Sequence, residues 1–480
     1  MIVTSIGYFH LLVGAAIALR GSLRQAFLFL FVSGLFSGSA ALILLGGGSS
    51  VPPLYFALPF VYFRILAPRG GFLHEIPDAF RANRWLVLFA LYSLSMAYVG
   101  PRLFAGAIDV YQMRMVDPES RFDTLPLGPT SQNLTAGIYM IGTLFIAIAV
   151  WIASRRENSA RTLVTAIIGV TWAHIAFGLL GLAARGTQLD ALLDVFRNSA
   201  YDQLNADVVG MVRIRGISPE ASEYAGIGFG YLVANAELWY RSVRSGATGT
   251  AALAMAVVLF FSTSSTAYAG LAIYAAFFIA RALIVPGLAS GTKVRTLLAT
   301  IGGFCFLSAI LAAVAPDLAA SIFKIIKLMT VEKSSSGSGE QRLFWALQGW
   351  DAFRVSYGLG IGPGSFRSSS LFLAILGSVG VIGIISFILY LNAVFQPWRR
   401  SSWGPGGDPR PAVGGAFASA AMLSLIPAAL SSATAYPGPN FVIFAGAALA
   451  LRPRLTGSKE AQEDAEGNAV VGNEIMQRLR

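Results

Sequence analysis

Residues 133–152 read Asn133-Leu-Thr-Ala-Gly-Ile-Tyr-Met-Ile-Gly-Thr-Leu-Phe-Ile-Ala-Ile-Ala-Val-Trp-Ile152, and Arg155 and Arg156 follow closely. The run carries no charge. As a helix rising about 1.5 Å per residue it matches the ~30 Å hydrocarbon core of a bilayer. Comparable apolar runs recur on both sides of it. They cover about thirteen segments: 2–19, 26–45, 51–67, 85–104, 133–152, 162–184, 223–240, 248–262, 266–285, 296–315, 371–396, 413–430 and 439–452. The last two are short and rich in alanine. Across all 480 residues, 55% are hydrophobic and 12% charged, with a mean hydropathy of +0.65. These values exclude an ordinary soluble domain and predict an all-α, polytopic membrane protein.

The arginines beside the first run also set its direction. Basic residues cluster in alternate connections: Arg20 and Arg24; Arg69, Arg81 and Arg84; Arg155, Arg156 and Arg161; Arg241 and Arg244; Lys293 and Arg295; Arg399, Arg400 and Arg410; Arg452 and Arg454. The positive-inside bias puts these connections in the cytoplasm and the N-terminus outside. Most of the net charge of +11 comes from these helix ends, so nucleic acid is not implied. Residues 1–455 then form a transmembrane domain with external loops at 105–132, 185–222 and 316–370. Residues 456–480 are a polar cytoplasmic tail. No cleavable leader is expected, because the first apolar run leads straight into others. The lone Cys305 and the scattered His10, His74 and His174 offer no disulfide or metal framework. His174, inside an apolar run, reads as an interhelical hydrogen bond. Asp117 and Glu119 form only a weak acidic pair.

Arginine is scarce on the outer face of membranes; in loop 105–132 Arg114 and Arg121 stand beside Asp109, Asp117, Glu119 and Asp123, and the two further external loops also carry it. The first holds Arg213 and Arg215 around Ile214, then Gly216 and Glu220. Two guanidinium forks at that depth suit a diphosphate whose lipid tail stays in the bilayer, and equally suit lipid headgroups or Asp207. Glu220 suits a general base or an arginine's ion-pair partner. Leu189, Leu192, Leu193 and Phe196 of the same loop repeat at helical spacing, which suits a short helix on the membrane surface or one packed on the loop's own core; Arg197, on this stretch, should tolerate lysine. The second loop opens with the similarly spaced Ile322, Ile325, Ile326 and Met329, and continues through a flexible Ser/Gly stretch to Arg342. Gly358, Gly360, Gly362 and Gly364 then precede Arg367. Alternating glycines suit either an anion-binding nest of amides or a tight re-entry into the bundle. The turn Ser262–Thr266 suits sugar hydroxyls or helix capping.

The stretch Arg215-Gly-Ile-Ser-Pro-Glu220-Ala-Ser-Glu-Tyr-Ala225 resembles the Arg-Gly-x-x-x-Glu-(Pro/Ala)-Ser-x-x-Ala element of the O-antigen polymerase and ligase superfamily. The Ser262–Ser265 turn resembles that superfamily's serine-rich external turn. Arg342, an apolar helix and then Gly358–Arg367 look like the large periplasmic loop of exopolysaccharide repeat-unit polymerases. The resemblance spans roughly residues 130–400. Here Pro219-Glu220-Ala221 stands in place of the commoner Glu-Pro-Ser order. Residues 316–370 contain no histidine, unlike the corresponding loop of O-antigen ligases, which favours a polymerase.

The resemblance implies an all-helical, GT-C-like membrane glycosyltransferase in a bacterial inner membrane, with its active site facing the periplasm. The implied substrate is an oligosaccharide on undecaprenyl diphosphate, and a chain-length regulator is a candidate partner. No cofactor or metal is implied. Glu220, Arg215 and Arg342 are the expected catalytic residues. Arg213, Arg215, Arg342 and Arg367 are the expected diphosphate ligands, with Gly360, Gly362 and Gly364 shaping the loop. A flippase or other transporter is the alternative of a different class. No clear internal repeat is visible and charges gather in loops rather than within spans, which favours the enzyme.

Overall fold

In the computed structural model, residues 1–44, 49–67, 72–113, 122–198, 213–284, 291–332, 335–395 and 408–452 are described. The tail at 456–480, Asp117, Glu119 and Asp207 lie outside them. The first helices are Ser5–Arg20 (α1), Leu23–Ser33 (α2), Pro53–Leu66 (α3), Ile76–Ala82 (α4), Arg84–Leu103 (α5), Ser131–Ser154 (α6) and Ser159–Ala183 (α7). Then come Gln188–Asp194 (α8), Ala221–Tyr240 (α9), Ser245–Phe261 (α10), Ser265–Ile284 (α11), Gly291–Val314 (α12) and Pro316–Met329 (α13). The chain continues with Gly337–Val355 (α14), Leu371–Val394 (α15), Arg410–Ser431 (α16) and Pro439–Ala450 (α17). Polar residues start several of them: Ser22 with Gln25 forms a capping box on α2, and Thr130 with Asn133 does so on α6. Six helices, α5, α6, α7, α12, α15 and α16, are long and apolar enough to cross a membrane.

The helix α9 sits at the centre. Its Tyr224, Ala225, Phe229, Val233 and Leu238 are buried on several faces, and α7, α10, α11 and α16 pack around it. The hairpin α9–α10 is antiparallel: Gly249 of α10 abuts Trp239 near the end of α9, and Met255 and Leu259 abut Gly228 near its start. The start of α9 and the end of α10 therefore share one end of the bundle, here the Glu220 end. The opposite one is the Arg241 end.

The expected second span at 26–45 is corrected. Its helix, α2, stops at Ser33, and residues 34–41 turn back before Leu42–Ile43 pairs with Ile2–Val3 and Ser50–Val51 in a small antiparallel sheet. Ser33, Gly34, Ser37, Gly38 and Ser39 favour a turn, Gly34 caps α2, and a neighbour far along the chain packs on the returning segment. A side chain at Gly38 would place its Cβ 2.1 Å from the carbonyl oxygen of Ile217. Ser39 Oγ donates to the Phe196 carbonyl at 2.6 Å, and the Ala40 amide donates to Asn198 Oδ1 at 2.7 Å. The segment is a shelf for the loop that carries Arg213 and Arg215.

A second irregularity lies in α15, broken at Gly380, where φ is +62° and ψ −155°. The glycine-rich segment fills the break. Ile361 and Gly362 donate their amides to Gly377 and Ser378, each at 2.9 Å, and the Val381 amide donates to Gly358 at 2.8 Å. Backbone freed by a broken helix needs such partners inside a membrane protein.

Candidate functional site

The chain reaches Arg213 just before α9. The Ser218 amide donates to the Arg215 carbonyl at 2.9 Å, closing a turn in which Gly216 has φ +56°. Arg197 holds this turn from behind. Its Nε donates to the Gly216 carbonyl at 3.0 Å, and its Nη1 reaches Asp190 at 2.9 Å and Asp194 at 3.4 Å. With only 7% of its surface exposed, Arg197 is a buried clamp, which speaks against the tolerance of lysine expected from the sequence. A lysine ammonium cannot span a carbonyl and a carboxylate as the planar fork does. Helical spacing located α8 but could not show that Arg197 folds back beneath the turn.

Glu220 is the extended residue that precedes α9, and its Oε2 accepts from Ser222 Oγ at 2.7 Å. Its charge acts on Arg213. Burial holds the Arg213 guanidinium below its ordinary pKa, the neighbouring Arg342 pushes it further down, and Glu220 opposes both. Arg213 and Arg342, from different loops, are thus close enough to repel each other. The buried Nε of Arg213 has no hydrogen-bond partner among the described residues. Two like charges held this close favour a further anion between them, beyond what Glu220 supplies. Arg215 and Arg342 are half-buried, and the Arg342 carbonyl accepts from Ser369 Oγ at 2.5 Å. Arg367 lies over the ring of Trp345, one turn beyond Arg342 on α14, with its guanidinium carbon 4.5 Å from the centroid.

Arg213 meets Arg342 across loops, and Arg367 reaches α14 through Trp345.

The glycines contribute differently from an amide nest. The Gly360 amide donates to Ser356 Oγ at 2.8 Å and the Gly362 amide to Ser378. A Cβ at Gly360, Gly362 or Gly364 would lie 2.3–2.5 Å from backbone oxygens of Ser378, Met96 or Gln132. All three have φ between +82° and +96°. Left-handed backbone and close approach to three helices both demand glycine here, and the tight re-entry is what the segment makes. A cleft of about 650 Å³ lies on the other side of α14, lined by Asp109, Gln348, Asp351 and Arg354 among others. Helical geometry puts this lining opposite Arg342.

His174 is the interhelical contact read from the sequence. Its Nε2 lies 3.1 Å from the Tyr224 carbonyl, and its ring stacks on Tyr224 at 4.0 Å.

At the Arg241 end sits a cluster that sequence reading missed. Glu237 on α9 is fully buried; it binds Arg241, accepts from Arg281 of α11 at 2.7 Å and from the Tyr274 hydroxyl at 3.2 Å. Arg281 is 1% exposed and lies 4.5 Å over the ring of Tyr240. Glu237 and Arg281 neutralise each other in the last turns of α9 and α11, at the ends of these apolar helices and not at their middles. Their separation of 44 residues gave no local signal.

Comparison of the chain with protein-family models, curated proteins and solved structures finds no match.

Proposed function

We propose that this protein is a polyprenyl-diphosphate-dependent polysaccharide polymerase of about thirteen membrane spans, with the GT-C-like architecture of membrane glycosyltransferases. In this reading it lies in a bacterial inner membrane with its Glu220 end facing the periplasm. The observation that carries the proposal is the nearness of Arg213 and Arg342 beside Glu220, with a buried Arg213 nitrogen that has no hydrogen-bond partner among the described residues. Such a site favours a dense anion of the diphosphate kind.

The reaction follows from that anion. An acceptor hydroxyl on one lipid-linked repeat attacks the anomeric carbon of a glycan carried by another. The anomeric C–O bond breaks and its electron pair leaves with the polyprenyl diphosphate. Arg213 and Arg342 offset the charge developing on the leaving oxygen, while Arg215 and Arg367 flank them. Glu220 orients Arg213 and stands near enough to the cluster to take the acceptor proton.

Purified protein supplied with lipid-linked repeats is expected to lengthen them, and to do so in the presence of chelator. Failure to lengthen them under any divalent-ion condition would sink the reading. A strain lacking the protein is expected to accumulate single lipid-linked repeats on the periplasmic side.

A lipid-linked oligosaccharide flippase is the second reading, favoured by the buried Glu237–Arg281 pair, since ionisable groups inside spans often mark transport paths. Accumulation confined to the cytoplasmic leaflet in the deletion strain would select it. Against it, Glu237 is already satisfied by Arg241, Arg281 and Tyr274.

Orientation has its own test, in a Cys305→Ser background because Cys305 is exposed. Cysteine at the exposed Ser335 is expected to react with an impermeant maleimide in spheroplasts, and cysteine at the exposed Glu157 only after lysis. The reverse pattern would turn the site to the cytoplasm. Ser159, at 5% exposure, is too buried to report.

A further inference from the structure

The Ser262–Thr266 turn, between α10 and α11, stands at the same end of the bundle as Glu220. Its hydroxyls are in an unusual position. Thr263 and Ser264 are 2% and 0% exposed, yet neither side-chain oxygen has a hydrogen-bond partner among the described residues. Capping, the plainer reading of such a turn, leaves no buried hydroxyl unpaired. Ser262 does have a partner, the Leu259 carbonyl at 2.7 Å. Thr263 also holds φ at +49°, an uncommon conformation for a β-branched residue and one that tends to persist at functional positions.

The element that covers the turn is loosely held. Ser265 Oγ meets Met329 Sδ at 3.8 Å, at the end of α13. Apart from Met329, no described side chain of α13 is buried, and α12 before it has none. Within the bundle α13 is thus held by few side chains, and an element so held opens at low free energy. Beyond α13 the chain leads into α14 and Arg342, so the cover and the arginine cluster belong to one connection.

We propose that the Ser262–Thr266 turn is a carbohydrate subsite, and that α13 is its cover. Thr263 and Ser264 would exchange hydrogen bonds with hydroxyls of the glycan whose diphosphate lies at Arg213 and Arg342. A hydroxyl both donates and accepts, which matches the dual character of sugar hydroxyls. The proposal rests on the polymerase reading for its substrate and goes beyond it in naming where the sugars sit.

The test separates the two. Thr263→Val and Ser264→Ala remove hydroxyls that have no partner in the folded protein, so each variant is expected to melt at or above the wild-type temperature. Each is nevertheless expected to lengthen lipid-linked repeats about tenfold more slowly, from loss of a single hydrogen bond. Thr263→Ser keeps the hydroxyl and is expected to keep the rate. The probe for binding is the free oligosaccharide released by mild acid from the lipid that accumulates in the deletion strain. At millimolar concentration it should raise the melting temperature of the wild type but not of Thr263→Val.

The cover is tested with Ser265→Cys/Met329→Cys in the Cys305→Ser background. Oxidation is expected to abolish both lengthening and the oligosaccharide-dependent shift, and reductant to restore them. A wild type that never lengthens repeats would sink the polymerase reading alone, leaving the thermal shift to judge the subsite. Absence of that shift in the wild type, or equal shifts in wild type and Thr263→Val, would overturn the subsite. An oxidised double-cysteine protein that still shows the shift would overturn the cover.

Discussion

Lysine at position 213 or 342 is expected to slow polymer formation about ten- to a hundredfold at matched protein level. Charge is preserved in both variants, so the loss reports geometry. Guanidinium presents parallel N–H groups to two oxygens of a diphosphate, whereas ammonium is a compact point charge. Because Arg213 and Arg342 come together across loops, the two substitutions should also be non-additive. The double variant is expected to fall short of the product of the single losses. Arg354→Lys is the control: Arg354 is exposed and lies across α14 from Arg342. Polymer yield, with protein level measured by immunoblot, decides the matter. Near-normal polymer from both Arg213→Lys and Arg342→Lys would mean that the cluster is not the diphosphate site.

The largest stability effect is expected from Glu237→Gln. Both arginines that bind Glu237 are buried, so loss of the carboxylate leaves uncompensated charge inside the bundle. Breaking a buried ion pair from one side typically costs about 3–5 kcal/mol. The expected outcome is a sharp fall in melting temperature and in membrane yield. Glu237→Gln/Arg281→Gln, which removes one of the stranded charges as well, is expected to recover part of the loss. Unchanged melting of the single variant would show that water or lipid headgroups already compensate these arginines.

The apolar runs made the helices legible because a span needs an uninterrupted length of hydrocarbon-compatible sequence. Thus 133–152 became Ser131–Ser154, and 371–396 became Leu371–Val394. The end of α2 was not legible. Hydropathy carries the run on to residue 45; the Ser/Gly cluster at 33–39 marks the turn only in hindsight, and the Ile217 carbonyl packed on Gly38 comes from far along the chain. The arginines of the candidate site were legible as basic residues that fall outside the alternation set by the positive-inside bias. That Arg213 and Arg342 would meet was not, since neither loop records where the other folds. Arg197 and the Glu237–Arg281 pair escaped for a related reason: a side chain's partner across the bundle leaves no mark at its own position. The glycines signalled special backbone correctly, but sequence could not tell an anion nest from a packed re-entry. The amide partners of Gly360 and Gly362 decide for packing.

The re-entry also sets a schedule for biogenesis. Asn133 at the start of α6 donates to the Pro363 carbonyl at 2.9 Å, a separation of 230 residues, and the Tyr92 hydroxyl of α5 donates to Leu359 across 267. At roughly 5–20 residues per second of synthesis, α5 and α6 wait on the order of ten to fifty seconds for these partners to emerge from the ribosome. Throughout that interval the groove along Met96, Gly100 and Pro101 is open, and the Asn133 side-chain amide lacks the Pro363 and Ser365 acceptors it has in the folded protein. A nascent chain arrested before residue 359 should therefore be held by insertion chaperones, and one arrested after residue 395 released from them.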